Sequence, residues 1–170
     1  ASRHLSSYIR LSLQEERSPV WIAQREGRAK DGIDRTEPAV IKMLAMSRDK
    51  QTESFSDLIN ALGIVPVSIA YELDPCDGMK AREMHLRSTT GTYAKAEQED
   101  VASIARGISG QKGRVHVAFG TPLAGEFDGP DAVAAEIDRQ IISLYCLHPT
   151  NLQAWEMLHG PGAAVPETLT

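Results

Sequence analysis

The chain has 170 residues, of which 42% are hydrophobic and 24% charged, with a net charge of −5. That length suits one domain, able to bury about 70% of its unfolded surface without a disulfide or a metal. No apolar run approaches the roughly 18 residues of a membrane span, the opening Ala1-Ser2-Arg3-His4 carries no signal-peptide pattern, and the acidic balance argues against whole-surface binding to nucleic acid or anionic lipid.

The chain starts without an initiator Met and enters a helical pattern at once, as a fragment would. Leu5, Ile9 and Leu13 recur at four-residue spacing with Tyr8 beside them, which predicts an amphipathic helix over 4–17 that Pro19 ends. Val20-Trp21-Ile22-Ala23 is a short continuous apolar run, the pattern of a strand buried on both faces. Residues 24–36 are polar and read as a loop. Thr36-Glu37-Pro38 opens a helix whose apolar face is Val40, Ile41, Met43 and Leu44. A second helix spans about 54–62 and ends near Gly63. Ile64–Tyr71 is the longest strand candidate, and Pro66 inside it points to an edge, a bulge or a strand start.

Asp74-Pro75-Cys76-Asp77 reads as a turn and cap, with helices following over about 77–87 and 96–108. Val115, Val117 and Phe119 alternate along a third strand over 114–119, closed by Gly120-Thr121-Pro122. Asp128-Gly129-Pro130 opens a helix with Val133, Ile137 and Ile141 on one stripe, and residues 149–160 form a last one. Strands separated by helices predict an α/β fold, a mostly parallel sheet flanked by helices. We place its domain over 1–148, with a terminal helix and flexible tail over 149–170. Three strands are few for that class, which points to strands missing upstream.

The loop Gln24-Arg25-Glu26-Gly27-Arg28-Ala29-Lys30-Asp31-Gly32 follows the first predicted strand, where open α/β sheets bind ligands. Arg28, Arg25 and Lys30 are suited to clamp a phosphate, Gly27 to let the backbone approach, and Glu26 to orient an Arg or accept from a ligand hydroxyl. Composition alone favours a solvated loop of mixed charge. Elsewhere the signals are negative. The five histidines have no HExxH spacing, so zinc is not expected. Gly107-Ile108-Ser109-Gly110-Gln111 departs from GxSxG at its last position, and the glycines of 107–113 do not make a P-loop. His116 and Trp21 are read as core residues. Cys76 and Cys146 form no CxxC and are read as reduced thiols in a cytoplasmic compartment.

The stretch Trp21–Gly32 resembles the third sequence block of glycerol-3-phosphate and 1-acylglycerol-3-phosphate acyltransferases, an apolar strand leading into Glu-Gly and then Arg. Ile64–Glu72, built around Pro66 and ending Tyr-Glu, resembles their fourth block. Val115–Pro122 looks like the strand and Gly-x-Pro turn near the end of these enzymes. The three landmarks fall in the family's order and cover roughly residues 5–145. One departure is visible: glycerol-3-phosphate members carry Glu-Gly-Gly-Arg, and this chain has Glu26-Gly27-Arg28.

The resemblance implies a truncated acyltransferase fold and transfer of a fatty acyl group to a glycerol-phosphate-type hydroxyl in phospholipid synthesis. Acyl-CoA or acyl carrier protein would be the co-substrate, with no cofactor and no metal. Glu26, Gly27, Arg28, Arg25 and Lys30 would bind the acceptor, and Pro66 would shape the neighbouring strand. The family's base is a His with an Asp five positions on. Here those positions after His4, His85, His116, His148 and His159 are Ile9, Thr90, Thr121, Gln153 and Ala164. The His-Asp pair is therefore expected upstream of Ala1. The implied setting is cytoplasmic, with peripheral contact on the inner face of the membrane, and the fragment is expected to self-associate. The rival reading is a non-catalytic module that binds an anionic lipid, a phosphate ligand or a protein partner.

Overall fold

The computed structural model describes residues 2–23, 30, 33 and 35–164. Seven helices and two strands lie among them. Helix α1 spans Ser2–Gln14, α2 Pro38–Leu44 (continued by a 3-10 turn, Ala45–Ser47), α3 Phe55–Leu62, and strand β1 Val67–Tyr71. Then come α4 (Asp77–Thr90), α5 (Glu99–Ser109), β2 (Val115–Phe119), α6 (Pro130–Ser143) and α7 (Pro149–His159). Prolines at the first helical turn start α2, α6 and α7, where a missing N–H costs nothing. Helix α3 has the fullest cap. Asp57 N donates to Ser54 Oγ at 3.0 Å, Ser54 N donates back to the Asp57 carboxylate at 3.2 Å, and Gly63 ends the helix at φ +59°.

The chain divides into two compact units. The first takes the described residues up to 23, 35–68 and 118–144, and the second takes 30, 33, 69–117 and 145–164. Two apolar clusters hold the first. Ile9, Leu44, Leu58 and Leu62 make one, with Leu13, Ile22 and Met43 packed against it. Ile41, Ile59, Leu123, Val133 and Ile137 make the other, with Phe55, Phe127 and Ile141 against it. The neighbours Leu58 and Ile59 are both completely buried, so α3 serves both clusters. Polar contacts fix α1: Ser6 Oγ donates to Leu44 O at 2.7 Å, and Arg10 holds Glu53 through two bonds of 2.8 and 2.9 Å.

The second unit buries far less. Among its described residues only Ala70, Cys76, Glu83 and His148 are buried. No residue of α5 or α7 is buried.

The expected α/β fold with a mostly parallel sheet is corrected. More than half of the described residues are helical, and the sheet among them is a two-stranded antiparallel pair, β1 with β2. Gly120 N donates to Pro66 O at 2.8 Å and Glu72 N to Arg114 O at 2.9 Å, the reversed register of an antiparallel ladder. The truncated acyltransferase architecture falls with that correction. Val20–Ala23 forms no strand: Trp21 is 68% exposed, and Ile22 alone of the four packs on the core. A four-residue apolar run is too short to carry a period, so one anchoring residue accounts for it. Strand β1 starts at Val67, directly after Pro66, and buries alternate residues, Ser68 and Ala70. Strand β2 alternates as expected, but Val115, Val117 and Phe119 are exposed, and His116 is exposed as well, not in a core. No helix among the described residues is long and apolar enough to cross a membrane.

Candidate functional site

Gln24, Arg25, Glu26, Gly27, Arg28 and Ala29 lie outside the described residues, and so do Asp31 and Gly32. Lys30 is described. Its Nζ pairs with the carboxylate of Glu83, a side chain only 5% exposed on α4. Arg87, one turn further along α4, approaches the same oxygen at 2.8 Å. A buried carboxylate needs such compensation, because desolvation penalises an unpaired charge heavily. Lys30 is thus a tether between its loop and α4.

Helix α4 is itself positioned by local chemistry. Asp74 Oδ1 accepts from Cys76 N at 2.8 Å, the Asx turn expected of Asp74-Pro75-Cys76. Cys76 Sγ donates to Ser103 O of α5 at 3.4 Å, which gives the thiol a structural role.

The second and third family-like landmarks sit side by side. Pro66 is buried, and its carbonyl receives Gly120 N; Ile64 O receives Leu123 N at 2.8 Å. A Cβ at Gly120 would press on Gln140 Oε1 and lie 3.3 Å from Pro66 O, so a side chain there would push the Gln140 amide out of place. Gln140 Oε1 accepts from Thr121 N at 2.9 Å, which ties the turn after β2 to α6. At the far end of β1, Glu72 takes both Arg114 Nε and Nη2 at 3.1 Å and Arg114 N at 2.9 Å. The Arg114 guanidinium and backbone N–H together pull the Glu72 carboxyl down to about 2. Gly113, at φ +61°, leaves the room this clamp needs, since a Cβ there would meet Glu72 Oε2 at 2.8 Å.

Comparison with protein-family profiles, with curated proteins and with solved structures gave no match. The functional reading therefore rests on residues alone.

His148 is buried at the start of α7, with Nε2 3.5 Å from Ala70 O and its backbone N bonded to Asn151 Oδ1 at 2.8 Å. It is a satisfied structural histidine. No group of His, Cys, Asp and Glu suited to a metal ion occurs among the described residues. Two concavities do occur, one in each unit. In the second unit Arg82, Tyr93, Glu99 and Val101 help line about 540 Å³. There Tyr93 donates to Glu99 at 2.6 Å and Ala96 N to the same carboxylate at 2.9 Å, so the Glu99 carboxylate is held by two donors. In the first unit a groove of about 780 Å³ is lined by Arg3, Lys42, Arg48 and Lys50. The sequence reading missed it. Its cations come from α1, from α2 and from the loop after the 3-10 turn, and only the run Arg48-Asp49-Lys50 shows in the sequence.

Proposed function

We propose that this chain is the acceptor-binding part of an acyltransferase that moves a fatty acyl group from acyl-CoA or acyl carrier protein to a glycerol-phosphate-type hydroxyl. The observation that carries the reading is the ordered set of three landmarks, Trp21–Gly32, Ile64–Glu72 and Val115–Pro122. Two further facts support it. The second and third landmarks are hydrogen-bonded neighbours through Pro66 O and Gly120 N, and Lys30 of the first is tied to Glu83 on the helix that follows the second. The two-stranded antiparallel sheet lends the reading no support.

In this chemistry the acceptor oxygen attacks the thioester carbonyl. A base takes the hydroxyl proton, the carbon–sulfur bond breaks, and the proton passes to the departing thiolate. None of the five histidines has the family's Asp spacing, so in this reading the chain supplies the acceptor site and not the base. Arg28, with Arg25 beside it, holds the acceptor phosphate; Glu26 and Gly27 shape the loop; Lys30 anchors it.

The test uses the parent protein with palmitoyl-CoA and glycerol 3-phosphate, following release of the thiol. Acyl transfer is expected. Arg28→Ala should lower kcat/KM for the acceptor on the order of 10–100-fold and leave the donor KM nearly unchanged, as expected for loss of a charge-assisted contact. Failure of the parent protein to acylate either glycerol 3-phosphate or its 1-acyl derivative would remove this function.

A further inference from the structure

We propose that the groove of the first unit, lined by Arg3, Lys42, Arg48 and Lys50, is a binding site for phosphate-bearing anions. Its lining residues include none of the acceptor-loop residues 24–32, and it does not depend on the acyl-transfer reading.

The charge pattern carries the proposal. Four cations and one acid, Asp49, line the groove, whereas the whole chain has a net charge of −5. Asp49 offsets one of the four positive charges and leaves a net excess of three. Its Oδ1 accepts from Gln51 N at 2.9 Å and its Oδ2 from Thr52 Oγ1 at 3.0 Å, and these bonds hold its carboxyl below the usual range. Glu53, the next acid along the loop, is held by the two Arg10 bonds. Arg3, Lys42, Arg48 and Lys50 make no ion pair among the described residues. Cations in a folded protein usually find carboxylates or spread apart; four sharing one concavity without partners suit an external anion.

The frame around these cations is fixed. Lys42 is on α2 beside the buried Ile41, and the loop bearing Arg48 and Lys50 is pinned by the Asp49 turn and by Arg10 Nη1 to Ser47 O at 3.2 Å. The volume, about 780 Å³, lies in the range of sites for small organic ligands. Arginine offers planar paired donors and lysine a point charge, the combination that binds phosphate oxygens. Met46, Phe55 and Pro130 add apolar wall, so the ligand class is a phosphate ester with some apolar body, either soluble or a lipid headgroup.

Inorganic pyrophosphate is the first probe, titrated by calorimetry at low salt. Saturable binding is expected, and Lys42→Gln with Arg48→Gln should weaken it at least tenfold. Lys95→Gln with Arg82→Gln, which removes the same charge from the second unit, should leave it within about twofold. A mapping in the unaltered protein guards against a misfolded variant: pyrophosphate should protect Lys42 and Lys50, but not Lys95, from reductive methylation read by mass spectrometry. A phosphatidylcholine vesicle with and without phosphatidic acid identifies the source. Co-sedimentation only with phosphatidic acid assigns a lipid headgroup, and pyrophosphate binding without co-sedimentation assigns a soluble ester. No saturable binding, equal loss in both double variants, or no protection of Lys42 and Lys50 overturns the proposal.

Discussion

The two units solve the same problem with different forces. The first buries aliphatic side chains in two clusters that meet on α3, and among the described residues its Arg3, Lys42, Arg48 and Lys50 make no ion pair. The second buries little apolar surface. Lys30, Lys80, Arg87, Lys95 and Arg114 are all held in ion pairs there. Val101, Ile104 and Ile108 of α5 face outward instead of into a core. Apolar burial is not weakened by added salt and does not titrate, whereas ion pairs are weakened by salt and by protonation of their carboxylates. A unit held by burial is free to present charge to a ligand; a unit held by charge is not.

Core truncation should separate the units most sharply. Leu58→Ala or Ile59→Ala removes a completely buried side chain and should cost about 2–5 kcal/mol in urea unfolding followed by circular dichroism. Ile104→Ala, at a position 60% exposed, should stay within about 0.5 kcal/mol. Equal costs would mean that α5 is buried in the folded protein and that the contrast is false.

Glu83 gives the next largest effect. Glu83→Gln removes the carboxylate shared by Lys30 and Arg87, and its partners are partly solvated, so a loss of roughly 1–3 kcal/mol is expected. The signal is the fluorescence of Trp155, which lies in the second unit, read in a Trp21→Phe background. An unchanged midpoint would make the Lys30 tether dispensable.

A smaller effect concerns acid. The folded Glu72 carboxyl titrates at about 2, against 4.5 ordinarily, because Arg114 stabilises its charged form. Its folded value is depressed, so its contribution is fully present above about pH 4.5 and is lost as pH falls through about 2. Arg114→Gln should flatten the acid limb of Trp155-detected stability in that window and change nothing above pH 5 beyond a constant offset. An acid limb as steep as that of the unaltered protein would show that the clamp does not form.

Much of the helical framework was legible in the sequence, because its punctuation is local. Pro38, Gly63, Pro130 and Pro149 act within a turn of where they stand, and Val133, Ile137 and Ile141 form the expected stripe on α6. The first helix forms, but its inward residues are Ser6, Ile9 and Ser12, with Leu5 outside, because Ser6 finds a carbonyl partner at Leu44 that no spacing rule foresees. The sheet was misread for a related reason. Alternation at Val115, Val117 and Phe119 tells that the side chains share one face, not that anything covers it. Of the candidate site, Pro66 is buried ahead of β1, the strand-start position its sequence allows, and Lys30 pairs with Glu83, a partner 53 positions away that the sequence does not reveal. Arg25, Glu26, Gly27 and Arg28 lie outside the described residues, so their roles stay with the proposal.

Amide hydrogen exchange measured by mass spectrometry at low salt and again in 1 M sodium chloride tests the contrast most directly. Protection reports local opening, and salt screens exposed ion pairs far more than buried contacts. The account predicts that α3 and α6 exchange slowest and hold their rates in salt. Helices α4 and α5 should exchange faster and speed up further when salt is added. Equal protection in α3 and α5, or an α4 indifferent to salt, would contradict the claim that burial holds the first unit and charge the second.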